Sequence, residues 1–398
     1  MRPVCVIPLI LIIFVFQEVR AQDEGDANEI DQNYAQTGET IAEFAGELDI
    51  DGADVIANPL KRLVKNWPED LVIAPIPGRS PQFGWQLTLA GGYFLESKAE
   101  DSDAPASILG GFVMATENGS HAYGVGGNFH LLDDKLRVNA GAGYGDIRYR
   151  LYGIGNEAGD KGFGLNVVQD GPVYSASAKW RVWRKLYVGL GYLGGEIATR
   201  ARIALPDNVT DFDPFLTFNL GAYTIPIEYD SRDHEQFPTS GWLMKAKARF
   251  FRDSIGSDFD AETFELAVNH YRPAHNNNVL ALRSYIRSTS GDAPFFLLST
   301  FGGKTDLRGY ESGRYRDKMM YALQSEYRWQ VNDSWILTGF AGFGEVAEDV
   351  SDFGNNFLPA AGLGMRYVIS KKHRVGLSVD IAVGDNGTEF YFGVGEAF

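Results

Sequence analysis

The sequence contains no set of residues whose types and spacing match an enzyme site. It has no Gly-x-Ser-x-Gly elbow, no His-Glu-x-x-His helix and no zinc-ligand spacing, so we expect no catalytic residue, no metal site and no cofactor. Its charged side chains can instead pair with one another. Lys245, Lys247 and Arg249 alternate with apolar residues, as do Glu326 and Asp380 in later segments. Charges at every second position predict strands with one polar and one apolar face.

Segments of this kind fill the chain from about residue 71 to residue 398. Each is about ten residues long, alternates in hydrophobicity and is bounded by polar turns. Near 82–95, for example, Trp85, Leu87 and Leu89 share one face and Gln86 lies on the other. A soluble β-sandwich would also alternate, but Trp and Tyr would not ring its apolar face. The pattern predicts an all-β fold, a transmembrane antiparallel β-barrel of the bacterial outer membrane.

The number of strands follows from the even count that is usual in single-chain barrels. About fifteen segments can be distinguished, from one near 82–95 to one near 388–398, so one strand is hidden and we predict sixteen. The stretch 151–184 is the expected place for it, with Asp170-Gly171 as a hairpin turn.

The N-terminal residues predict a secretory signal at 1–21. Arg2 gives a positive start, the apolar stretch Val4–Phe16 is too short to span a bilayer, and Val19 and Ala21 suit a cleavage site. An uncleaved anchor is the alternative. Cys5 would leave with the signal, so the mature chain would contain no cysteine and no disulfide.

Residues 22–70 form a short acidic leader. We expect it to be periplasmic or plug-like, with a short helix against the barrel or in its mouth; a disordered linker is the equal alternative. Removal of Arg2, Glu18 and Arg20 with the signal changes the net charge from −16 to −17. Such an acidic chain lacks the basic surface that nucleic-acid phosphates require, so we expect no nucleic-acid partner.

Four short motifs occur in a fixed order within the barrel region. They are Tyr229–Asp233 followed by Pro238 and Gly241, Leu307–Tyr310 in a long loop near 291–316, Glu326–Arg328, and a final strand with Phe390, Phe392 and the last residue Phe398. This ordered set resembles the outer membrane protein 85 superfamily, the BamA/TamA-like bacterial surface antigen barrels that include two-partner secretion pores. The leader is too short for the POTRA modules of that superfamily, so the resemblance is to a member lacking POTRA domains.

The resemblance implies a loop that folds back into the lumen. Arg308, with Gly309 and Tyr310, would meet the wall there, and its expected partner is Glu326, which faces the lumen by alternation. The family also carries an aromatic-x-Asp-x-Gly motif on the following strand, but Gly342 stands in place of that Asp. Asp380, also lumen-facing, is the residue that could compensate. For the Tyr229–Asp233 motif we expect only a local structural role.

The function implied by the resemblance is insertion or export of proteins at the outer membrane, alone or as a subunit of a larger machine. Partners would be lipid, client or partner outer-membrane proteins, and the assembly machinery, which would recognise the final strand with Phe390, Phe392 and Phe398. The expected mechanism uses a seam between the first and last strands that glycines weaken. These glycines, which could equally serve barrel curvature, are Gly84, Gly91 and Gly92 in the segment near 82–95 and Gly393 and Gly395 in the last. The alternative function is a passive pore or structural barrel whose basic lumen, with Lys245, Lys247, Arg249, Arg283 and Arg287, favours anions.

Overall fold

The protein folds into one sheet of sixteen antiparallel strands. The computed structural model describes residues 68, 70–80, 82–95, 104–162, 164–202, 215–370 and 375–398; the predicted signal and nearly all of the leader lie outside the described residues. The strands are β1 Leu71–Ser80, β2 Gly84–Leu95, β3 Ser107–Thr116, β4 His121–Leu131, β5 Leu136–Tyr152, β6 Gly164–Trp183, β7 Leu186–Arg202, β8 Phe215–Asp230, β9 Gly241–Phe251, β10 Ala261–Pro273, β11 Val279–Gly291, β12 Met319–Gln330, β13 Trp335–Ala347, β14 Leu358–Ser370, β15 Val375–Gly384 and β16 Gly387–Val394.

Each strand pairs with its neighbours in sequence, so the sheet is an up-and-down meander that curls into a nearly closed barrel. The predicted alternation is confirmed. Trp242 and Met244 on β9 are exposed on the outer face, whereas Lys245 and Lys247 point into the lumen. The predicted all-β class and the count of sixteen strands are therefore correct.

The hidden strand is at the start of the barrel, and its predicted position within 151–184 is wrong. It is β1, which pairs with β2 along its whole length. Pro75 and Pro77 hide β1 from sequence analysis. Proline has no backbone N–H to donate to a neighbouring strand, so it argues against a strand unless that strand lies at the edge of a sheet. β1 is such an edge, since the sheet order begins with it.

Asp170 and Gly171 do not form a hairpin turn. Both lie inside β6, a single strand of 20 residues. The pairing of β6 with β7 skips Gly171 and Pro172, and Gly171 has a φ of +152°. The turn-like dipeptide therefore marks an interruption of a ladder, where a proline lacks its N–H, and not the end of a strand.

Among the connections that leave from one end of the barrel are 153–163, 252–260, 292–318 and 348–357, as follows from the alternating strand directions. The helix α1, Asn156–Lys161, lies in the first of them. Single 3₁₀ turns at Asp253–Ile255, Phe295–Leu297 and Val350–Asp352 lie in three others, and a fourth, His275–Asn277, lies in a turn at the opposite end. Within the described residues, no helix has the length and apolar character needed to cross a membrane.

Connection 292–318, here called the luminal loop, provides the largest buried cluster of the barrel. Ser299–Thr300 pairs with Arg316–Asp317 inside it, which closes the loop on itself. Phe301, Leu307, Tyr310 and Tyr315 are each at most 1% exposed. They pack against inward-facing wall residues of β12 and β14, including Ala322 and Ala360. The apolar part of the loop thus fixes its polar part against the wall.

Candidate functional site

The four residues of the motif Leu307–Tyr310 each meet a different requirement of the luminal loop. Leu307 is fully buried in the loop cluster, and Tyr310 packs edge-on against Phe301 with ring centroids 5.6 Å apart. The Tyr310 hydroxyl donates to the Pro359 carbonyl at 2.6 Å. These contacts hold the backbone on both sides of Arg308 and Gly309.

Gly309 is required by its backbone conformation and by the space around it. Its φ is +117°, where side chains are strongly disfavoured. A Cβ atom there would lie 3.0 Å from the Ala360 Cβ and 3.1 Å from the main chain of Val383. The loop therefore touches the wall through its backbone at this point. The Gly309 N–H donates to the Tyr391 hydroxyl at 2.9 Å, which ties the loop to β16.

Arg308 enters a fully buried charge network on the wall. Its Nη2 atom lies 2.8 Å from the Glu326 Oε2 atom, an ion contact without hydrogen-bond alignment, and its Nη1 donates to the Asp380 Oδ2 at 2.9 Å. The guanidinium carbon is 3.4 Å from the ring centroid of Phe340. The structure thus brings Arg308, Glu326 and Asp380 together.

Gly342 has no room for a side chain. A Cβ atom there would lie against the Leu323 carbonyl and 2.8 Å from the Gln324 Cγ. Gln324, directly opposite Gly342 on β12, fills the space; its amide nitrogen donates to the Asp306 carbonyl and its oxygen lies 3.4 Å from the Arg308 Nε. A neutral amide therefore replaces the carboxylate that the family motif would place here.

Three residues of the network were not singled out as site residues from the sequence: Arg328, Arg366 and Glu396. Arg328 Nε lies 2.8 Å from Glu326, and Arg366 binds Asp380 and lies 2.9 Å from the Glu396 Oε2. With Arg308, this gives three guanidiniums and three carboxylates, all at most 4% exposed. Equal numbers of opposite charges are what allow so many ions to be buried together. The sequence does contain a signal for Arg328 and Arg366, because the alternation along their strands places both side chains on the inner face of the barrel.

The end of the chain turns into the lumen. Gly395, with a φ of +74°, ends β16, and the side chain of Phe398 packs against the cluster of Leu243, Tyr271, Val279 and Ala281. The Phe398 main-chain oxygen accepts a hydrogen bond of 2.8 Å from Arg328. Phe390 is 45% exposed on the outer face, and Phe392 has the same outward parity. The three phenylalanines of the tail therefore divide between the outer face and the lumen.

Lys304 forms a second connection between the luminal loop and the last two strands. Its ammonium donates to the Ser378 Oγ at 2.5 Å and to the Gly395 carbonyl at 3.4 Å. Gly393 leaves the space for it, since a Cβ there would lie 2.6 Å from the Lys304 nitrogen. Burial, and then the nearby Arg366 guanidinium, lower the pKa of Lys304 to about 8.

The seam lies between β1 and β16. The two strands end the sheet order, and no ladder between them occurs in the described residues. The predicted first strand, near 82–95, is therefore the second one. Gly84, Gly91 and Gly92 belong to β2, which pairs with β1, so they do not border the seam. Of the five predicted seam glycines, Gly393 lies in β16 beside the seam and Gly395 follows the end of that strand.

The orientation of the β1 backbone shows which groups face the seam. The Phe94 N–H donates to the Asp70 carbonyl at 2.8 Å, so the even-numbered residues of β1 bond to β2 and the odd-numbered residues face the seam. Pro75 and Pro77 are odd-numbered. Two of the five seam-facing positions of β1 therefore have no N–H to donate.

The opposite edge of the seam has no such defect. The Gly395 N–H donates to the Gly376 carbonyl at 2.7 Å, so odd-numbered residues of β16 bond to β15. The even-numbered residues Thr388, Phe390, Phe392 and Val394 turn their N–H and C=O groups towards β1. One edge of the seam can thus pair fully and the other cannot.

The motif Tyr229–Asp233 closes the turn between β8 and β9. Asp230 accepts two hydrogen bonds from Arg232, at 2.9 and 2.8 Å, and Asp233 accepts the N–H groups of Thr239 and Ser240 at 2.9 and 3.1 Å. These contacts are local to the turn. In the described residues, no group of three or more His, Cys, Asp or Glu side chains is placed to hold a metal ion.

The barrel is similar to known outer-membrane barrels. A family model described as the Omp85 superfamily domain matches residues 159–398. The structure is similar to BamA from Haemophilus ducreyi lacking POTRA domains 1–3, with a TM-score of 0.53 and 14% identity, covering 82% of this chain and 69% of that one. It is also similar to CdiB from Acinetobacter baumannii (TM-score 0.50, 11% identity, 81% of this chain and 59% of that one). For CdiB from Escherichia coli the TM-score is 0.52 and the identity 11%, with coverage of 81% and 61%. No curated protein matches the chain.

Proposed function

The chain belongs to the Omp85 superfamily and is an outer-membrane β-barrel, and from this we propose that it inserts or exports proteins through its seam, alone or beside a larger machine. Its own chemistry is the pairing and release of backbone hydrogen bonds and not catalysis. The observation that carries the proposal is the unequal seam, in which β16 presents a complete edge and β1 lacks two donors at Pro75 and Pro77.

An incomplete ladder gives a client strand a place to pair. A strand can enter lipid only if its backbone groups find partners, because water is not there to satisfy them. The four seam-facing residues of β16 offer such partners by strand addition. β1 competes for the same groups with the N–H groups of Ile73 and Arg79, because the Leu71 N–H already donates to the Pro68 carbonyl at 3.0 Å. A client strand with all its N–H groups can therefore displace β1.

The luminal loop keeps the receiving edge in place. It is bonded to β16 through Tyr391 and to the last strands through Lys304. Its Arg308 is held by Asp380 on β15. β1 has no comparable contact with the loop in the described residues. In this proposal the loop and its charge network hold β15 and β16 rigid, and β1 is the strand that separates.

A disulfide across the seam tests the proposal. Because no ladder fixes the alignment, a small set is needed, with Leu71→Cys combined in turn with Phe392→Cys and Val394→Cys. The matched control combines Leu71→Cys with Tyr93→Cys, since these two residues are direct partners in β1 and β2. Cys5 is replaced by serine in all variants to remove the thiol background.

The expected result is that seam disulfides abolish client insertion into liposomes, or export, while the control disulfide leaves both unchanged. Reduction should restore activity in the same preparation. Full activity in every oxidised seam variant would refute opening of the seam as the mechanism.

The alternative function, a passive pore, is supported by one feature, the Lys and Arg side chains that line part of the lumen. Ion conductance in planar bilayers distinguishes the two functions. A pore should conduct with the seam disulfide intact and show no client activity. An insertase should lose activity on oxidation whatever its conductance.

The partners proposed for the chain follow from its edges and its tail. Client proteins would contact β16, and lipid contacts the outer face. In the folded barrel Phe398 is packed in the lumen and held by Arg328. We therefore propose that the outer-membrane assembly machinery binds the tail with Phe390, Phe392 and Phe398 before the barrel closes.

A further inference from the structure

The lumen contains a cavity of about 820 Å³ that the charge network around Arg308 does not fill. It lies against the wall from β3 to β11, towards the end of the barrel opposite the luminal loop. Seven of its lining residues are Lys or Arg and only three, Glu228, Glu235 and Glu265, are carboxylates. A chain with a net charge of −16 thus presents mainly positive side chains to this part of the lumen.

Glu228 is already neutralised by two of these cations. Its Oε1 lies 2.5 Å from Arg137 and its Oε2 lies 2.5 Å from Lys179. Lys245 on β9 is opposite Glu228 in the strand pairing, yet its ammonium forms no ion pair in the part of the chain that the structure describes. Arg137 also pairs with Asp134 at 2.7 Å, so two carboxylates face three cations, and Lys245 is the cation that forms no ion pair in the described chain.

Glu265 is shared in the same way. Arg249 lies 2.7 Å from it and Lys247 lies 3.7 Å from it, and both cations line the cavity. Arg287 is its direct partner on β11. Glu235, the third carboxylate, lies 3.7 Å from His130. In the described chain, none of the three carboxylates that line the cavity forms an ion pair with Lys245 or Arg283.

Arg283 is the second cation without a neutralising partner. Its Nη1 donates to the neutral Asn269 oxygen at 2.8 Å, and its Nε is buried with no hydrogen-bond partner among the described residues. Asp306 of the luminal loop acts on it electrostatically but forms no ion pair with it in the described chain. A guanidinium in this position retains a donor for a group in the cavity.

We propose that this cavity binds a small multivalent anion that carries phosphate or carboxylate groups, with Lys245 and Arg283 as its main contacts. Cations that line a cleft with low-dielectric walls raise the local concentration of anions. An anion bound there would satisfy donors that are now unpaired, through charge-assisted hydrogen bonds. The cavity volume is within the range of ligand sites, which is about 300–1,000 Å³. The proposal does not depend on whether the barrel is an insertase or a pore.

The test is calorimetric titration of the purified full chain in nanodiscs of zwitterionic lipid with inorganic tripolyphosphate at pH 7 and physiological ionic strength. We expect saturable binding at one site. The double variant Lys245→Gln with Arg283→Gln should bind at least tenfold more weakly, and each single variant should show part of that loss. The matched control is Arg272→Gln on β10, an exposed cation of outward parity at the end of its strand.

Three results would overturn the proposal: no saturable binding to the unmodified barrel, equal affinity in the double variant, or an equal loss in Arg272→Gln. Heat-modifiable electrophoretic mobility shows whether each variant has folded. If the double variant does not fold, Lys245→Gln alone decides, because Lys245 has no ion pair to lose in the described chain. A tenfold competition by chloride at constant ionic strength would indicate a site for any anion and would refute the preference for multivalent groups.

Discussion

Restoring the missing seam donors should close the barrel more tightly and slow its activity. The double substitution Pro75→Val with Pro77→Val adds two N–H groups to the edge of β1 that faces β16, and valine favours strands. Each new hydrogen bond contributes about 1 kcal/mol net, so the closed seam should gain about 2 kcal/mol. Since 1.4 kcal/mol corresponds to a factor of ten, the open population should fall roughly 30-fold.

The assay is the rate of client insertion into liposomes, measured together with hydrogen exchange of the β1 amides. The matched control is Pro226→Val in β8. Residues of even number in β8 face β7, and the pairing of β7 with β8 skips Pro226, so this change also adds an N–H to an interrupted ladder, but far from the seam. It has the same effect on the entropy of the unfolded chain, about 0.4–1 kcal/mol per proline.

We expect protection of the new amides at 75 and 77 and a fall in rate, with no fall in the control. Protected amides combined with an unchanged rate would refute the argument, because the seam would then be closed without consequence. An equal fall in the insertion rate of Pro226→Val would show that an added N–H anywhere in the barrel wall slows insertion.

Three further predictions concern the luminal loop. Arg308→Ala removes one ion partner of Glu326 in a buried network and should destabilise the barrel by about 3–5 kcal/mol in urea unfolding, with higher or unstable conductance. Normal folding and conductance in both Arg308→Ala and Glu326→Ala would show that the pair is not structural. Burial lowers the pKa of Lys304 from 10.5 to about 8. Between these two pH values the unfolded chain binds more protons than the folded protein, so the stability of the fold should rise with pH over this range. The loop should therefore resist proteolysis better at pH 9 than at pH 7, and Lys304→Met should abolish this difference. We predict that both termini lie in the periplasm, so that a tag inserted at Gly313 should be accessible only from outside the cell; access only from inside would contradict this topology.

The strand pattern was largely predictable from the sequence, because alternation is a local property. β9 and β12 each have one apolar and one polar face, and their inward charges could be assigned without a structure. β1 was missed for an equally local reason, since Pro75 and Pro77 lack a backbone N–H and prolines within a segment argue against a strand. Only the position of β1 at an edge makes those prolines acceptable, and an edge is a property of the whole sheet.

The charge network was predictable only in part. The resemblance brought Arg308 and Glu326 together, and alternation placed Asp380 on the inner face. The contact between Arg366 and Glu396 joins β14 to the residues beyond β16, and alternation gives a face without giving a height along the barrel. Height depends on how far neighbouring strands are staggered, which no single segment encodes. The contact of Tyr391 with Gly309 was missed for the same reason.

The unequal seam and the luminal loop are best understood together. An opening barrel must expose one edge to a client and must also keep its remaining strands folded, and these two demands conflict if both edges are equally weak. Here Arg308, Lys304 and Tyr391 each join the luminal loop to β15 or β16, and Arg308 also contacts Glu326 on β12. Pro75 and Pro77, by contrast, weaken only the seam-facing edge of β1. Because a strand that lacks two of its seam-facing donors gains less from re-pairing, its separation costs less free energy than separation of the anchored edge would. The direction of opening is therefore set by where the chain places its prolines and where the luminal loop is anchored.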